Sequence, residues 1–142
     1  MKLFLKNVVV VAMVFLAYGV IHAFEAYSEE QGYSYISGRY VRETENEKAK
    51  LEVTLMSDGR VHVTGLSLWG TKTLRDLGPN IGEVDFIAPI KKGRVIYIEP
   101  MGKGRKYKLE LIFEKNRLIA KERDAAGYLG LNVSFAGEYR KQ

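Results

Sequence analysis

Tyr107, Leu109, Leu111 and Phe113 alternate with Lys106, Lys108 and Glu110. A period of two suits a strand with one buried face and not a helix, whose apolar stripe recurs every three to four residues. The same alternation recurs along the chain. Leu51, Val53 and Leu55 alternate with Glu52 and Thr54, and Ser57-Asp58-Gly59 follows as a turn, since Asp-Gly accepts the positive backbone angles of a tight hairpin. The return run places Val61 and Val63 on one face and His62 and Thr64 on the other.

Further strands are expected at Ser37–Arg42, Glu83–Ile90, Arg94–Glu99 and Arg117–Arg123. A last strand is expected to follow the Asp124–Leu131 loop, with Val133, Phe135 and Tyr139 on one face. Turns fall at Lys91-Lys92-Gly93, at Pro100–Gly104 and at Glu114-Lys115-Asn116. The connection from Trp69 to Gly82 is the longest and has room for one helical turn. Eight strands joined mostly by short turns form an antiparallel meander. The expected fold is all-β, an eight-stranded antiparallel up-and-down barrel, with a two-sheet β-sandwich as the alternative. Its core is expected to hold Tyr40, Leu51, Val53, Leu55, Val61, Val63, Leu109, Leu111, Phe113, Val133, Phe135 and Tyr139. The first strand contains Gly38-Arg39-Tyr40 and the last Gly137-Glu138-Tyr139. These strands pair when a barrel closes, glycine permits the bend, and an aromatic neighbour covers the bare backbone.

Ahead of the strands, Lys2 and Lys6 precede an apolar run from Val8 to Ile21, which ends at Ile21-His22-Ala23. That is the three-part pattern of a secretory signal peptide. It gives three segments: 1–23 as signal peptide, 24–36 as an irregular lead-in rich in tyrosine, and 37–142 as one barrel domain. The protein is expected to be exported, periplasmic or secreted; the alternative is an inner-membrane anchor formed by residues 8–21. Cleavage after Ala23 would leave 119 residues and lower the formal charge from +5 to +3. Cysteine is absent, so the exported chain must hold together by burial alone. Thiol nucleophiles and thiolate zinc sites are excluded on the same ground. With His22 in the signal, His62 would be the one imidazole left, which argues against histidine relays and multi-histidine metal sites.

The Gly38-x-Tyr40 opening of an expected barrel resembles the lipocalin and calycin group, whose first strand carries Gly-x-Trp. The stretch from Gly127 to Tyr139, with Trp69-Gly70 upstream, looks like the ending of small secreted bacterial proteins of unassigned function. Size, export and strand count are also similar to those of periplasmic lysozyme-inhibitor barrels, which usually keep a disulfide. These likenesses imply a barrel that binds, and they supply no catalytic residue.

The sequence reading is therefore a non-enzymatic exported binding protein, with no catalytic or metal-ligating set and no cofactor. Its partner would be a small apolar or amphipathic ligand or a protein of the cell envelope. Alternatives are an inhibitor of a cell-wall hydrolase acting through its loops, and an enzyme using carboxylate and tyrosine chemistry. Trp69, Tyr40 and Tyr139 are the candidate ligand contacts; Trp69 either lines the mouth of the barrel or plugs its end. Lys91, Lys92, Arg94, Lys103, Arg105, Lys106 and Lys108 are the candidate contacts to an anionic membrane surface or polysaccharide. They are expected to form two basic tips at opposite ends of one strand, or else to be solvated turns that discourage edge pairing. Nucleic acid is not expected, because the chain carries no recognition motif.

Overall fold

A computed structural model describes residues 32–71, 78–126 and 128–142. The expected signal peptide, most of the lead-in and the helical turn between Trp69 and Gly82 lie outside the described residues. From Tyr35 onward the chain is a closed antiparallel barrel of eight strands in sequence order. The strands are β1 (Gly38–Glu43), β2 (Glu47–Leu55), β3 (Arg60–Trp69), β4 (Asn80–Lys91), β5 (Arg94–Gly102), β6 (Arg105–Glu114), β7 (Arg117–Arg123) and β8 (Gly137–Lys141).

The alternation in the sequence becomes the inward face. Tyr40, Leu51, Val61, Val63, Val95, Tyr107, Leu109, Leu111, Leu118 and Tyr139 are completely buried. Leu55, expected in the core, is only half-buried because it ends β2 at the barrel rim. Gly65 in β3 faces a crowded part of the interior. A Cβ there would lie 2.7 Å from Leu51 Cδ2, 2.8 Å from Val84 Cγ2 and 2.9 Å from Phe135 Cε1, so glycine is what lets the Phe135 ring enter the barrel.

The last strand begins later than the sequence suggests. Val133 and Phe135 are buried as expected, but they belong to the connection from Asp124 to Ala136, which folds back into the open end as a plug. Asn132 adopts a φ of 61° and reverses the chain there. Glu122 of β7 then supplies the partners that a neighbouring strand would have given. Its Oε2 accepts from Ser134 Oγ at 2.6 Å and from the Ala136 amide at 3.2 Å. Side-chain capture replaces ladder pairing, so the alternation of Val133 and Phe135 reads like a strand without being one. Ile36, also fully buried, belongs to the segment leading into β1, at the opposite end of the barrel.

Two junctions close the barrel, and each is a ladder of only two residue pairs. The β1–β8 junction pairs Tyr40 with Lys141 and Val41 with Arg140. It has an approximate internal twofold symmetry. Tyr40 donates its hydroxyl to the Ile36 carbonyl at 2.7 Å, and Tyr139 donates to the Phe135 carbonyl at 2.8 Å, four residues upstream in both cases. Lys141 Nζ stands 5.8 Å from the Tyr40 ring centre, and the Arg42 guanidinium 5.7 Å from that of Tyr139. Lys141 donates to the Tyr35 carbonyl and Arg42 to the Ser134 carbonyl. Gly38 and Gly137, at φ 146° and 139°, leave room for these cations: a Cβ would lie 2.7 Å from Lys141 Cε or 2.6 Å from Arg42 Cδ. The repeated Gly-x-Tyr is thus half of a repeated device whose other half is the cation two residues on.

The β4–β5 junction stops for a different reason. It pairs Lys91 with Arg94 and Ile90 with Val95, and goes no further. The Ile90 amide donates to Gly59 on the β3 side, so its neighbour Pro89 faces β5. Proline has no N–H to give at the next rung, and the ladder ends there. Aromatic rings bridge the interior beyond it. Phe86 stacks on Tyr97 at 4.3 Å, Tyr97 meets Tyr107 edge-on at 6.2 Å, and Tyr107 stacks on Tyr128 of the plug at 4.2 Å.

Candidate functional site

Beneath the plug lies a partly buried polar cluster. Tyr107 donates to Glu122 Oε1 at 2.6 Å, while Ser134 and the Ala136 amide occupy Oε2. The Ser134 carbonyl accepts from Ser67 Oγ at 2.7 Å and from Arg42 at 2.9 Å, and Arg42 also pairs with Glu47 at 2.5 Å. Arg42 Nε is the one buried side-chain nitrogen or oxygen without a hydrogen bond among the described residues. Burial, followed by the bond to Glu122, holds the Tyr107 hydroxyl far above its ordinary pKa, so it remains protonated. Serine, carboxylate and phenol are all present, but each is bonded to the others. The cluster ties the plug to the barrel wall, and it leaves neither a free base nor a free nucleophile directed at open space.

The aromatic candidates separate. Trp69 ends β3 on its inward-facing side, half-buried at the rim, opposite Glu47 and Asn80. Tyr40 and Tyr139 are wholly enclosed, with both hydroxyls given to chain carbonyls. Burial is the main cause that pushes each up to about 12; Tyr35 adds to the effect at Tyr40, and Arg42 partly offsets it at Tyr139. Neither presents surface to a bound molecule in this conformation. Two shallow hollows lie outside the barrel. One, of about 490 Å³, is bordered by Lys50, Thr64, Glu83 and Asp85; the other, of about 460 Å³, lies along the plug between Ala125 and Val133. His62 projects outward beside the first, with Nε2 2.7 Å from Asp85.

The basic candidates divide as the turns do. Lys91, Lys92 and Arg94 surround the β4–β5 turn, and Lys103, Arg105 and Lys106 surround the β5–β6 turn at the other end of β5. Arg105 is partly engaged, donating to the Ala126 carbonyl of the plug at 2.9 Å. Between the tips, strand pairing sets Ile98 opposite Lys108, Ile96 opposite Glu110 and Pro100 opposite Lys106 on the outer face. Ile96 is 46% exposed and Ile98 51%; across the junction, Ile87 of β4 is 49% exposed. Sequence reading had found the cations and missed the isoleucines between them. In Val95-Ile96-Tyr97-Ile98 both faces are apolar, so alternation gives no inside or outside.

The charges on this face differ in kind from those on β1 to β3. There, Arg39 and Lys50 share Glu52, Lys48 meets Glu43, Arg60 meets Asp58, and Arg42 meets Glu47. On β5 and β6, Arg94 reaches Glu110 only at 3.4 Å. Among the described residues, Lys91, Lys92, Lys103, Lys106 and Lys108 form no ion pair. The sequence sharpens the division: residues 37–91 carry eight cationic and eight acidic side chains, residues 92–142 twelve and six. Compared with protein-family models, curated proteins and solved structures, the chain matches none.

Proposed function

We propose that this is an exported, non-enzymatic binding protein that works from the outside of its barrel, holding a component of the cell envelope against its surface. One observation carries the reading: the barrel interior is occupied by the protein itself. Leu129, Val133 and Phe135 fill one end and Ile36 belongs to the other, each no more than 9% exposed, with Tyr40, Tyr107 and Tyr139 among the side chains between. An eight-stranded barrel is only wide enough for its own side chains or one small ligand, and here the side chains take the space. The polar groups best suited to chemistry, Tyr107, Glu122 and Ser134, are bonded to one another under the plug. What remains available to a partner is the outer surface, which is strongly uneven in charge.

Trp69 is the sole tryptophan and sits at the rim, so its emission reports on the interior. A hydrophobic dye or lipid monomer is expected to produce no saturable shift, while the folded protein is retained by a cell-envelope fraction and released by salt. A saturable shift abolished by Trp69→Ala would overturn the outer-surface reading in favour of an interior ligand.

A further inference from the structure

We propose that the outer face of β4, β5 and β6 docks onto an anionic phospholipid bilayer, with Ile87, Ile96 and Ile98 entering the interface and the surrounding lysines meeting the headgroups. This rests on the outer-surface reading above and names its partner. Two properties coincide on one face. Three β-branched apolar side chains stand about half exposed, on strands whose inward faces are already packed, so burial among the described residues is not available to them. Around them, Lys91, Lys92, Lys103, Lys106 and Lys108 carry charge that no acidic side chain of the described residues neutralises. The face also carries acidic groups: Glu83 and Asp85 on the outside of β4, Asp85 standing 2.7 Å from His62, and Glu110 opposite Ile96 and 3.4 Å from Arg94. Around the isoleucines of β5 the unpaired charges are lysines, and an apolar centre with a mainly cationic rim complements an interface with acyl chains below and phosphate charge above.

Other occupants match only part of this. A second copy docking face to face would bring unneutralised lysines against lysines. An acidic polysaccharide would satisfy the lysines and leave the isoleucines in water. A bilayer satisfies both, and Pro89 contributes to the arrangement: by ending the β4–β5 ladder it leaves Ile87 and Ile98 on strands that are not laced together at that level.

The test is co-sedimentation of the folded protein with vesicles of phosphatidylcholine alone or containing about a third phosphatidylglycerol, at low and high salt. Retention is expected on the anionic vesicles only. Ile96→Thr with Ile98→Thr keeps β-branching at exposed positions and is expected to weaken retention about tenfold or more. Lys106→Glu with Lys108→Glu is expected to weaken it at least as much and to flatten its salt dependence. Circular dichroism and thermal melting confirm that both variants fold. Equal retention of the isoleucine variant and the parent would overturn the proposal, since it would show a purely ionic partner. Failure of the parent to bind vesicles while an envelope fraction still retains it would also overturn it, leaving the outer-surface reading intact. Failure to bind either would sink both.

Discussion

The outward cations of β1 to β3 have carboxylates beside them; on β5 and β6 only Arg94 reaches one, Glu110, while Lys108 lies opposite Ile98 and Lys106 opposite Pro100. Both halves are built on the same inward alternation, so the difference does not arise from folding. Inside the barrel, Leu51, Val53, Val61 and Val63 of the first half do the same work as Leu109, Leu111, Phe113 and Leu118 of the second. Exposed ion pairs such as Arg39–Glu52 contribute little to stability because water screens them, and leaving lysines unpaired would cost the fold little. Exposed isoleucines are harder to explain as leftovers, because three of them lie together on adjoining strands. The proposed bilayer docking rests on this contrast between the paired charges of β1 to β3 and the unpaired lysines beside exposed isoleucines on β4 to β6.

Changing what the halves share should give the largest effect. Phe135 is wholly buried and packs where Gly65 leaves room. Phe135→Ala is expected to lower unfolding free energy by about 3–5 kcal/mol, the usual cost of deleting a buried aromatic ring. Urea unfolding measures it, and vesicle retention per folded molecule should stay unchanged. A loss below about 1 kcal/mol would show that the plug is not part of the core.

The β1–β8 junction gives the next effect. Tyr40 and Tyr139 are pushed up to about 12 in the folded protein, against about 10 in an unfolded chain. The folded state therefore holds these protons more tightly. That stability is fully present below pH 10 and is lost as pH rises from 10 through 12, where the unfolded chain ionises first. Tyr107 and Tyr97, raised further still, act in the same direction. The loss is on the order of 2–3 kcal/mol from Tyr139 alone. Urea midpoints between pH 9 and about 12 should fall, and Tyr139→Phe should reduce the slope. A flat profile would contradict burial of these hydroxyls.

How far each feature could be read from sequence depends on whether its signal is local. Strand identity was legible because Tyr107-x-Leu109-x-Leu111-x-Phe113 carries its own period. The closure was partly legible: Gly38-x-Tyr40 and Gly137-x-Tyr139 announce a pair, while the cations Arg42 and Lys141 completing it look like ordinary surface residues until the strands meet. The plug was not legible. Val133 and Phe135 alternate as a strand would, and only the distant Glu122 decides that they fold inward instead. The exposed face was half legible, its lysines visible in the turns and its isoleucines hidden in an all-apolar run. Pro89 is the instructive case, because its effect depends on which neighbour its missing N–H would have faced, and that follows from register.

The smallest expected effect is also the one that separates charge from charge combined with apolar surface. Glu52 accepts from both Arg39 and Lys50 on the outside of β1 and β2, and these cations hold its carboxyl below the ordinary range, Lys50 more than Arg39. Glu52→Gln frees two cations on the neutralised half without adding any apolar residue. Because the group is fully exposed, the urea midpoint should be essentially that of the parent. If cations alone were enough to hold the protein on an anionic vesicle, this variant would bind more tightly than the parent and would acquire a second footprint on the β1–β2 side. The bilayer proposal expects otherwise: Arg39 and Lys50 have none of the exposed isoleucines beside them, so retention should rise by less than about twofold and that rise should vanish at high salt. A gain of about tenfold would show that unneutralised charge anywhere on the barrel suffices, and that the isoleucines on β4 and β5 are not part of the binding surface.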